Sequence, residues 1–500
     1  MQVRLRDGDP LTSPTPLLAV GVPRGLEEPT GFLVGLDEHL SGAVARVLAA
    51  GDMTGRTGDS VLLWGPEGGP ERILLLGLGE EESLDAEGVR RFAGRAVRAA
   101  ETARLSSVSL WLPMLPSHGE EAQAAQAAAE GLTLAAWRFR ELKGDHGDAE
   151  VPTQVESAHI HGEGDTEVVE EAVRIGAVIG DGENFARTLQ SRPGNIATPT
   201  HLADEARRVA EETGMDITVF DEEAMEEAGM HAILTVSRGS VEEARLMILE
   251  HHGGAEGEAP LILVGKGLTF DAGGISLKPP KGMESMKFDM SGGAAVLGAM
   301  KAVAELDLPL NVIGIVPSSE NLPSGTAVKP GDVIPTLAGK TVEVINTDAE
   351  GRLILADALA YGASRKPAAM VDCATLTGSV VVALGHHAAG VMGNDDGLVE
   401  ELRAAGRASG ERCWPLPLWD EYREQLDSGT ADLQNIGGRP GGCITAGAFL
   451  REFVGDATWG HLDVAGTAYG EDPLPYQRKG GFGFPTRLLV AWVRSRVAGA

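Results

Sequence analysis

Cysteine and long apolar runs are both scarce in this sequence. Only three of the 500 residues are cysteine, at Cys373, Cys413 and Cys443, and no Cys-x-x-Cys pair occurs. This excludes a disulfide-based scaffold and a thiolate zinc site, and it indicates a reducing cytoplasm. No stretch of about 18 uninterrupted apolar residues occurs, so we expect no membrane span. The short run 17–22, closed by Pro23, cannot serve as the apolar core of a signal peptide.

Basic residues are few relative to acidic ones. The sequence has 42 lysines and arginines against 73 aspartates and glutamates, which gives a net charge of −31. Such a balance disfavours nucleic acid and anionic membrane surfaces as partners. We interpret it as a general excess of surface acid.

The motifs of several familiar enzyme classes are also absent. The sequence contains no His-Glu-x-x-His, no Gly-x-Ser-x-Gly and no Gly-x-x-x-x-Gly-Lys-Ser/Thr. The absence of the first motif excludes a conventional zincin. The sequence likewise has no nucleophile elbow and no phosphate-binding loop.

Strand-like and helix-like segments alternate along the chain. The chain is longer than a domain with a single hydrophobic core usually is, so we expect more than one domain. We predict an N-terminal α/β domain over 1–165, a connecting helix over 166–190 and a larger C-terminal domain over 191–500. Strands of the larger domain are predicted at 216–220, 232–236, 245–249, 260–264, 311–316, 341–345, 369–373 and 460–464. Strands joined by helices predict an α/β fold in which a mainly parallel central sheet is flanked by helices.

One charged stretch, NTDAEGRL from Asn346 to Leu353, stands out. Asp348, Glu350 and Arg352 alternate there with small or apolar residues, so an extended backbone would place all three on one face. A strand is predicted just before the stretch and a helix just after it. The triplet would then lie at the carboxyl end of a strand, where open α/β sheets bind ligands. Taken alone, such a triplet usually forms a plain ion-pair cluster.

A second charged stretch makes catalytic chemistry the better interpretation. Residues 265–295 carry Lys266, Asp271, Lys278 and Asp289 among many glycines, directly after the apolar run 260–264. With the first stretch they supply four carboxylates, which would repel one another unless they were protonated or bound to cations. Two divalent ions would neutralise them, activate a water as hydroxide and polarise a carbonyl.

The combination of NTDAEGRL with GKGLTFDAGGISLK closely resembles the leucyl aminopeptidase family of hexameric dimetal aminopeptidases. The resemblance continues in the segment 191–200, in DCATLTG, in ADLQNIGGRPGG and in HLDVAGTAYG, so it extends from 191 to 470. The first third is similar only in its α/β alternation. The resemblance implies a cytoplasmic homohexamer that hydrolyses unsubstituted N-terminal residues, leucine and others, from short peptides during protein turnover.

The resemblance also implies a ligand set for two divalent ions, with manganese or zinc as the expected metals. The ligands of the tightly held metal would be Lys266, Asp271, Asp289 and Glu350. Those of the more exchangeable metal would be Asp271, Asp348 and Glu350, so that two carboxylates bridge. A lysine must be deprotonated to bind a metal, and neighbouring dications favour that state.

Catalytic and substrate roles follow from the same resemblance. Lys278 would polarise the scissile carbonyl and stabilise the oxyanion. Arg352, flanked by Gly351 and Leu353, would hold a bicarbonate that shuttles protons. The pocket for the substrate side chain is expected at Met286, Thr375, Leu376 and Gly378.

Two alternatives from other classes remain open at this point. Some bacterial relatives are DNA-binding regulators, although the charge of −31 argues against that function here. A non-catalytic scaffold would be expected to have lost ligands, and none is lost. A mobility-shift assay at low salt tests the first alternative, and metal content with activity tests the second.

Overall fold

The structure, a computed structural model, describes residues 1–112, 121–144, 153–162, 165–471 and 473–498. Contacts between residues divide the chain into two compact units. The first comprises 1–181 with a returning segment, 473–478, and the second comprises 182–471 and 479–498. Among the described residues, no helix combines the length and the apolar character that a membrane crossing requires.

The first unit alternates strands and helices, as predicted for an α/β domain. Its strands are β1 (Gln2–Leu5), β2 (Leu18–Pro23), β3 (Ser60–Trp64), β4 (Arg72–Gly79), β5 (Ser107–Trp111) and β6 (Ser157–His161). Its helices are α1 (Phe32–His39), α2 (Ala43–Ala50), α3 (Ala86–Thr102), α4 (Glu121–Ala136) and the first part of α5 (Thr166–Ser191). The strands form one sheet in the order β1-β6-β5-β2-β4-β3, in which only β3 and β4 pair antiparallel.

Alternation along the strands explains why helices cover both faces of this sheet. Successive side chains of a strand point to opposite faces. In β2, Leu18 and Val20 join the core cluster that contains α1 and α2, whereas Ala19 joins the cluster that contains α3 and α4. The returning segment adds Tyr476 to the second cluster, and its hydroxyl donates to Glu87 Oε1 at 3.0 Å.

The second unit is built on a larger sheet. Its strands are β7 (Asp216–Phe220), β8 (Arg245–His252), β9 (Leu261–Gly265), β10 (Gly267–Asp271), β11 (Asn311–Asn321), β12 (Val333–Pro335), β13 (Thr341–Glu343), β14 (Ala369–Ala374), β15 (Ala389–Gly393), β16 (Cys413–Pro415), β17 (Leu433–Gln434), β18 (Trp459–Asp463), β19 (Tyr469–Gly470) and β20 (Gly480–Gly481). Its helices after α5 are α6 (Pro199–Thr213), α7 (Glu222–Ala228), α8 (His231–Ser237), α9 (Ser291–Glu305), α10 (Gly351–Ser364), α11 (Gly378–Leu384), α12 (Asp396–Ser409), α13 (Asp420–Arg423), α14 (Gly442–Arg451) and α15 (Thr486–Ala498).

The main sheet of the second unit has the order β16-β15-β18-β14-β9-β11-β8-β7, and β10 also pairs with β11. The central pairs β18-β14, β14-β9 and β9-β11 are parallel, whereas β15-β18, β11-β8 and β8-β7 are antiparallel. Helices α9 and α10 both pack on β9 and β11. The predicted α/β fold, with a mainly parallel sheet flanked by helices, is therefore confirmed.

One predicted strand of this unit is wrong. Residues 232–236 form a helix, α8, although their β-branched composition is typical of a strand. The carboxylate of Asp357, on α10, accepts hydrogen bonds from the backbone N–H groups of Ala232 at 2.8 Å and Ile233 at 3.1 Å. This long-range contact pairs free N–H groups at the start of α8. The helix propensities of the residues themselves could not predict it.

The backbone around NTDAEGRL also differs from the prediction. The strand ends at Glu343 rather than at residue 345, and it belongs to a separate small sheet, β12-β13-β17, not to the main sheet. Asp348 lies in a turn and α10 begins at Gly351, so the charged triplet is not extended. The argument from strand alternation is therefore wrong for this segment.

Candidate active site

The two charged stretches meet at the carboxyl ends of β9, β10 and β13. Lys266 directly follows β9, and Asp271 is the last residue of β10. Asp289 lies between a 3₁₀ turn, Met283–Phe288, and the start of α9. Glu350 is the N-cap residue of α10, two positions after Asp348. Strand ends and helix starts thus supply the charged groups, as the topology of open α/β sheets favours.

Each of two lysines bridges a pair of carboxylates from different segments. Lys266 Nζ lies 2.8 Å from Asp289 Oδ2 and 3.0 Å from Glu350 Oε1. Lys278 Nζ lies 2.7 Å from Asp271 Oδ2 and 2.6 Å from Asp348 Oδ1. The side chain of Lys266 is 3% exposed and that of Lys278 is 22% exposed, so only Lys278 has substantial access to solvent.

Burial dominates the protonation of this cluster. The pKa of Glu350 is raised to about 8 and that of Asp289 to about 6, and burial is the largest cause of both shifts. Nearby Asp271 also contributes to the increase, and Lys266 opposes it. Burial lowers the pKa of Lys266, but the neighbouring carboxylates raise it by more, so the net shift is upward. Two ammonium groups alone compensate the negative charge of these closely spaced, buried carboxylates poorly. Additional cations would stabilise the charged forms of the carboxylates.

The donor set fits divalent cations. Ligand oxygens of Asp271, Asp348 and Glu350 all lie within 4.8 Å of one another. Carboxylate oxygen is the ligand that hard divalent ions prefer, and manganese, magnesium and zinc all accept it. Lys266 and Asp289 adjoin this group through the contact between Lys266 and Glu350.

Arg352 lies in the first turn of α10 and is buried. Its Nη1 donates to the carbonyl of Asn435 at 2.8 Å, and its Nε has no hydrogen-bond acceptor among the described residues. Burial lowers its pKa to about 10, although Glu350 and Asp463 act in the opposite direction. The side chain of Leu353 belongs to the hydrophobic core, and its N–H donates to the carbonyl of Glu350 at 2.9 Å.

Gly351 is required by the close approach of Lys266. A Cβ atom at this position would lie 2.5 Å from Lys266 Cε and 2.6 Å from its Nζ. The lysine side chain crosses the start of α10 through this space to reach Glu350 and Asp289, and a Cβ here would displace its end. The glycine of NTDAEGRL therefore acts through the space that it leaves.

Two of the predicted pocket residues, Thr375 and Met286, contact residues of the charged cluster. Thr375 Oγ1 donates to Asp289 Oδ1 at 2.7 Å, and the carbonyl of Thr375 accepts from Lys266 Nζ at 3.1 Å. Gly378 begins α11, and a Cβ there would meet open space. Met286 is half-buried in the 3₁₀ turn before Asp289, and its carbonyl accepts from the Asp289 N–H at 3.3 Å.

Sequence reasoning missed two residues that hold the site. Asn321, at the end of β11, donates from Nδ2 to Asp271 Oδ1 at 2.8 Å and to the carbonyl of Thr347 at 2.9 Å. Asp463, at the end of β18, accepts from Thr377 Oγ1 at 2.6 Å and from the Leu376 N–H at 3.2 Å. Their position at the carboxyl ends of two strands of the main sheet was the available signal.

Comparison with known proteins identifies the family. The profile of the cytosol aminopeptidase family, catalytic domain, matches residues 184–490, and the profile of its N-terminal domain matches residues 19–146. The chain belongs to the cytosol aminopeptidase family. A probable cytosol aminopeptidase of Nitrosococcus oceani is 44% identical over 499 residues, which is 99% of both chains. One of Geobacter sulfurreducens is 44% identical over 498 residues, 99% of this chain and 100% of that protein.

Solved structures agree with this family assignment. A mutant of tomato leucine aminopeptidase superimposes with a TM-score of 0.89 and 33% identity, covering 99% of this chain and 96% of that chain. The bottromycin maturation enzyme BotP in complex with Mn gives a TM-score of 0.85 and 33% identity, covering 96% of this chain and 99% of that chain. The protein described here is therefore a metal-dependent aminopeptidase. None of these matches favours the DNA-binding interpretation.

Proposed function

We propose that this aminopeptidase releases unsubstituted N-terminal residues, leucine and others, from short peptides in the cytoplasm, and that it uses two divalent metal ions. The observation that carries the proposal is the convergence of Asp271, Asp348 and Glu350 within 4.8 Å, next to a buried lysine. Three carboxylates in so small a volume are a natural site for divalent ions.

The proposed metal ligands divide as follows. Lys266, Asp271, Asp289 and Glu350 hold the tight site, and Asp271, Asp348 and Glu350 hold the exchangeable site. Bound there, the two ions supply an activated water and polarise the substrate carbonyl. Lys266 would have to be neutral to serve as a ligand, because only the neutral amine can donate an electron pair. Manganese and zinc are the ions that we expect.

The two lysines have different proposed roles, and their exposure supports the division. Lys266 is 3% exposed and therefore stays within the ligand set, whereas Lys278, at 22%, can contact a substrate. Lys278 donates a hydrogen bond to the scissile carbonyl and stabilises the negative charge that develops on its oxygen. The substrate side chain lies against Met286, Thr375, Leu376 and Gly378.

Arg352 is proposed to hold a bicarbonate together with the backbone of Gly351 and Leu353. The guanidinium nitrogen Nε has no acceptor among the described residues, and the start of α10 adds the positive end of a helix dipole. An anion there would accept from Nε and could relay a proton between solvent and the scissile bond.

Metal removal and reconstitution test the proposal. Protein stripped with a chelator is expected to be inactive towards Leu-amide, and addition of manganese, zinc, magnesium or cobalt should restore activity to different extents. Asp348→Asn and Glu350→Gln should both lose bound metal and nearly all turnover. Near-normal activity in either variant, with both metals bound, would contradict the ligand assignment.

The assembly is proposed on the family resemblance. We expect a homohexamer in which the active sites face a protected interior, so that folded proteins are excluded and short peptides enter. Residues 1–165 and the connecting helix 166–190 would serve this assembly, and 191–500 would carry catalysis. Light scattering tests the proposal, since a stable and fully active monomer is incompatible with it.

A further inference from the structure

Asn435 lies beside the turn that carries Asp348, although it is far from this turn in sequence. Strand β17 pairs in parallel with β13, and the register places Gln434 opposite Glu343. The next residue, Asn435, donates its backbone N–H to the carbonyl of Glu343 at 3.0 Å. Asn435 therefore lies where the chain leaves β13 and enters the turn.

Within the described part of the chain, the side chain of Asn435 makes hydrogen bonds only with the backbone of that turn. Its Oδ1 accepts from the N–H groups of Ile345 at 2.8 Å and Asn346 at 3.3 Å. Its Nδ2 donates to the carbonyls of Asn346 at 2.7 Å and Ala349 at 3.2 Å. The residue is fully buried, so these partners are not replaced by water. Only one orientation of the amide satisfies two donors and two acceptors at once.

These contacts bracket the proposed ligands. Asn346 and Ala349 lie on either side of Asp348, and Ala349 directly precedes Glu350. The backbone carbonyl of Asn435 also accepts from Arg352 Nη1 at 2.8 Å. One residue thus holds the backbone before and after Asp348 and contacts the first turn of α10. The turn has no strand ladder of its own after Glu343, so its backbone depends on such side-chain contacts. Asn435 supplies four of them, beside those that Thr347 makes with Asn321 and Ser276.

We propose that Asn435 is a positioning residue for the metal site. Among the described residues it makes no hydrogen bond with a ligand side chain; it fixes the backbone from which Asp348 and Glu350 extend. This inference rests on the proposed role of those two residues as metal ligands. Residues that orient metal ligands without touching the metal typically change metal affinity or activity by about 10–100-fold when they are replaced.

Two substitutions separate positioning from a merely structural role. Asn435→Asp has nearly the same shape and keeps an acceptor for Ile345, but it sets a carboxylate oxygen against the carbonyls of Asn346 and Ala349. Asn435→Ala removes all four side-chain hydrogen bonds. The control is Asn394→Ala, because Asn394 also joins two backbone segments, donating to the Ala457 carbonyl at 2.9 Å and accepting from the Trp459 N–H at 2.8 Å.

The measurement is Mn²⁺ binding to metal-stripped full-length protein by equilibrium dialysis with metal analysis, alongside thermal unfolding. We expect both Asn435 variants to bind Mn²⁺ about 10–100-fold more weakly and to recover part of their activity in excess Mn²⁺. Asn394→Ala should bind as the unchanged protein does. If Asn435→Ala does not fold, the near-isosteric Asn435→Asp decides the question.

An Asn435→Asp protein that unfolds at a lower temperature but binds Mn²⁺ with unchanged affinity would overturn the proposal. Asp348→Asn serves as the benchmark for the underlying assignment. If Asp348→Asn loses Mn²⁺ affinity and the Asn435 variants do not, only the positioning role fails. If Asp348→Asn also binds normally, the proposed ligand set itself is wrong.

Discussion

The ammonium nitrogen of Lys266 lies 2.8 Å from Asp289 Oδ2, and both side chains are almost inaccessible to water. A buried charge without a partner is strongly unfavourable, so each of these groups stabilises the charged form of the other. The same ammonium lies 3.0 Å from Glu350 Oε1, which connects the stretch after β9 with the start of α10. The position of Lys266 is therefore determined by both stretches together.

Replacing this lysine tests its place in the ligand set. Lys266→Met keeps the length of the side chain but removes the nitrogen, which leaves Asp289 and Glu350 without a buried cationic partner. We expect bound metal per subunit to fall and turnover of Leu-amide to drop by more than about 100-fold, comparable to the loss of a key catalytic group. Metal analysis and steady-state kinetics measure the two effects.

Lys301→Met is the matched control for this substitution. Lys301 is also mostly buried, and its Nζ lies 2.6 Å from Glu305 on the same helix, α9. The control should lose some stability and keep its metals and its turnover. Full metal occupancy in Lys266→Met would remove the lysine from the ligand set.

A single methyl group at Gly351 should disturb the same lysine. The added Cβ of Gly351→Ala would lie 2.5 Å from Lys266 Cε, which is closer than any real contact of this kind. Alanine itself suits the first turn of a helix, so α10 should still form. We expect weaker metal binding with little change in the unfolding temperature, measured by metal titration and thermal unfolding.

The control for Gly351→Ala is Gly35→Ala, in helix α1 of the first unit. A Cβ at Gly35 meets nothing within 4 Å, so the change should be neutral or stabilise the protein by about 0.5–1 kcal/mol. If Gly351→Ala bound metal as tightly as the Gly35→Ala control, the close approach of Lys266 would have no bearing on the site.

Residue type and strand ends were enough to predict that the two charged stretches come together, whereas the backbone that presents Asp348 and Glu350 could not be predicted. Lys266 and Asp271 directly follow or end strands of the main sheet, so the argument from strand ends applies to them. Asp348 and Glu350 reach the same place from a turn beside a small separate sheet. The hydrogen bonds of Asn435 shape that turn, and they join residues about ninety positions apart, so no local pattern could reveal them.

Removal of Lys278 should separate catalysis from metal binding. Lys278→Ala deletes the donor that we propose for the developing oxyanion, and we expect the turnover number to fall by about 10²–10³-fold. Metal content should stay intact, because Asp271 and Asp348 remain in place. Single-turnover kinetics with parallel metal analysis measures both quantities. Loss of the metals together with activity would mean that Lys278 organises the carboxylates instead of acting on the substrate.

The free amino terminus of the substrate should be essential. An unsubstituted amine has N–H groups to donate and a basic lone pair, and Asp289, itself one of the proposed metal ligands, offers a carboxylate to the amine. Thr375 Oγ1 holds Asp289 Oδ1 at 2.7 Å, so this acceptor has a fixed direction. Acetylation of the amine removes its basicity and adds bulk, which should misalign the scissile carbonyl.

Three substrates separate the contributions of the amine and of bulk. With the manganese-loaded enzyme we expect ready cleavage of Leu-amide, no measurable cleavage of N-acetyl-Leu-amide, and no measurable cleavage of 4-methylpentanamide, which lacks the amine and adds no bulk. If 4-methylpentanamide were cleaved and N-acetyl-Leu-amide were not, the bulk of the acetyl group, and not the loss of the free amine, would explain why the acetylated substrate is resistant. Comparable rates on all three would identify a general amidase and contradict recognition of the amino terminus, because a site that uses the amine to align the carbonyl cannot work equally well without it.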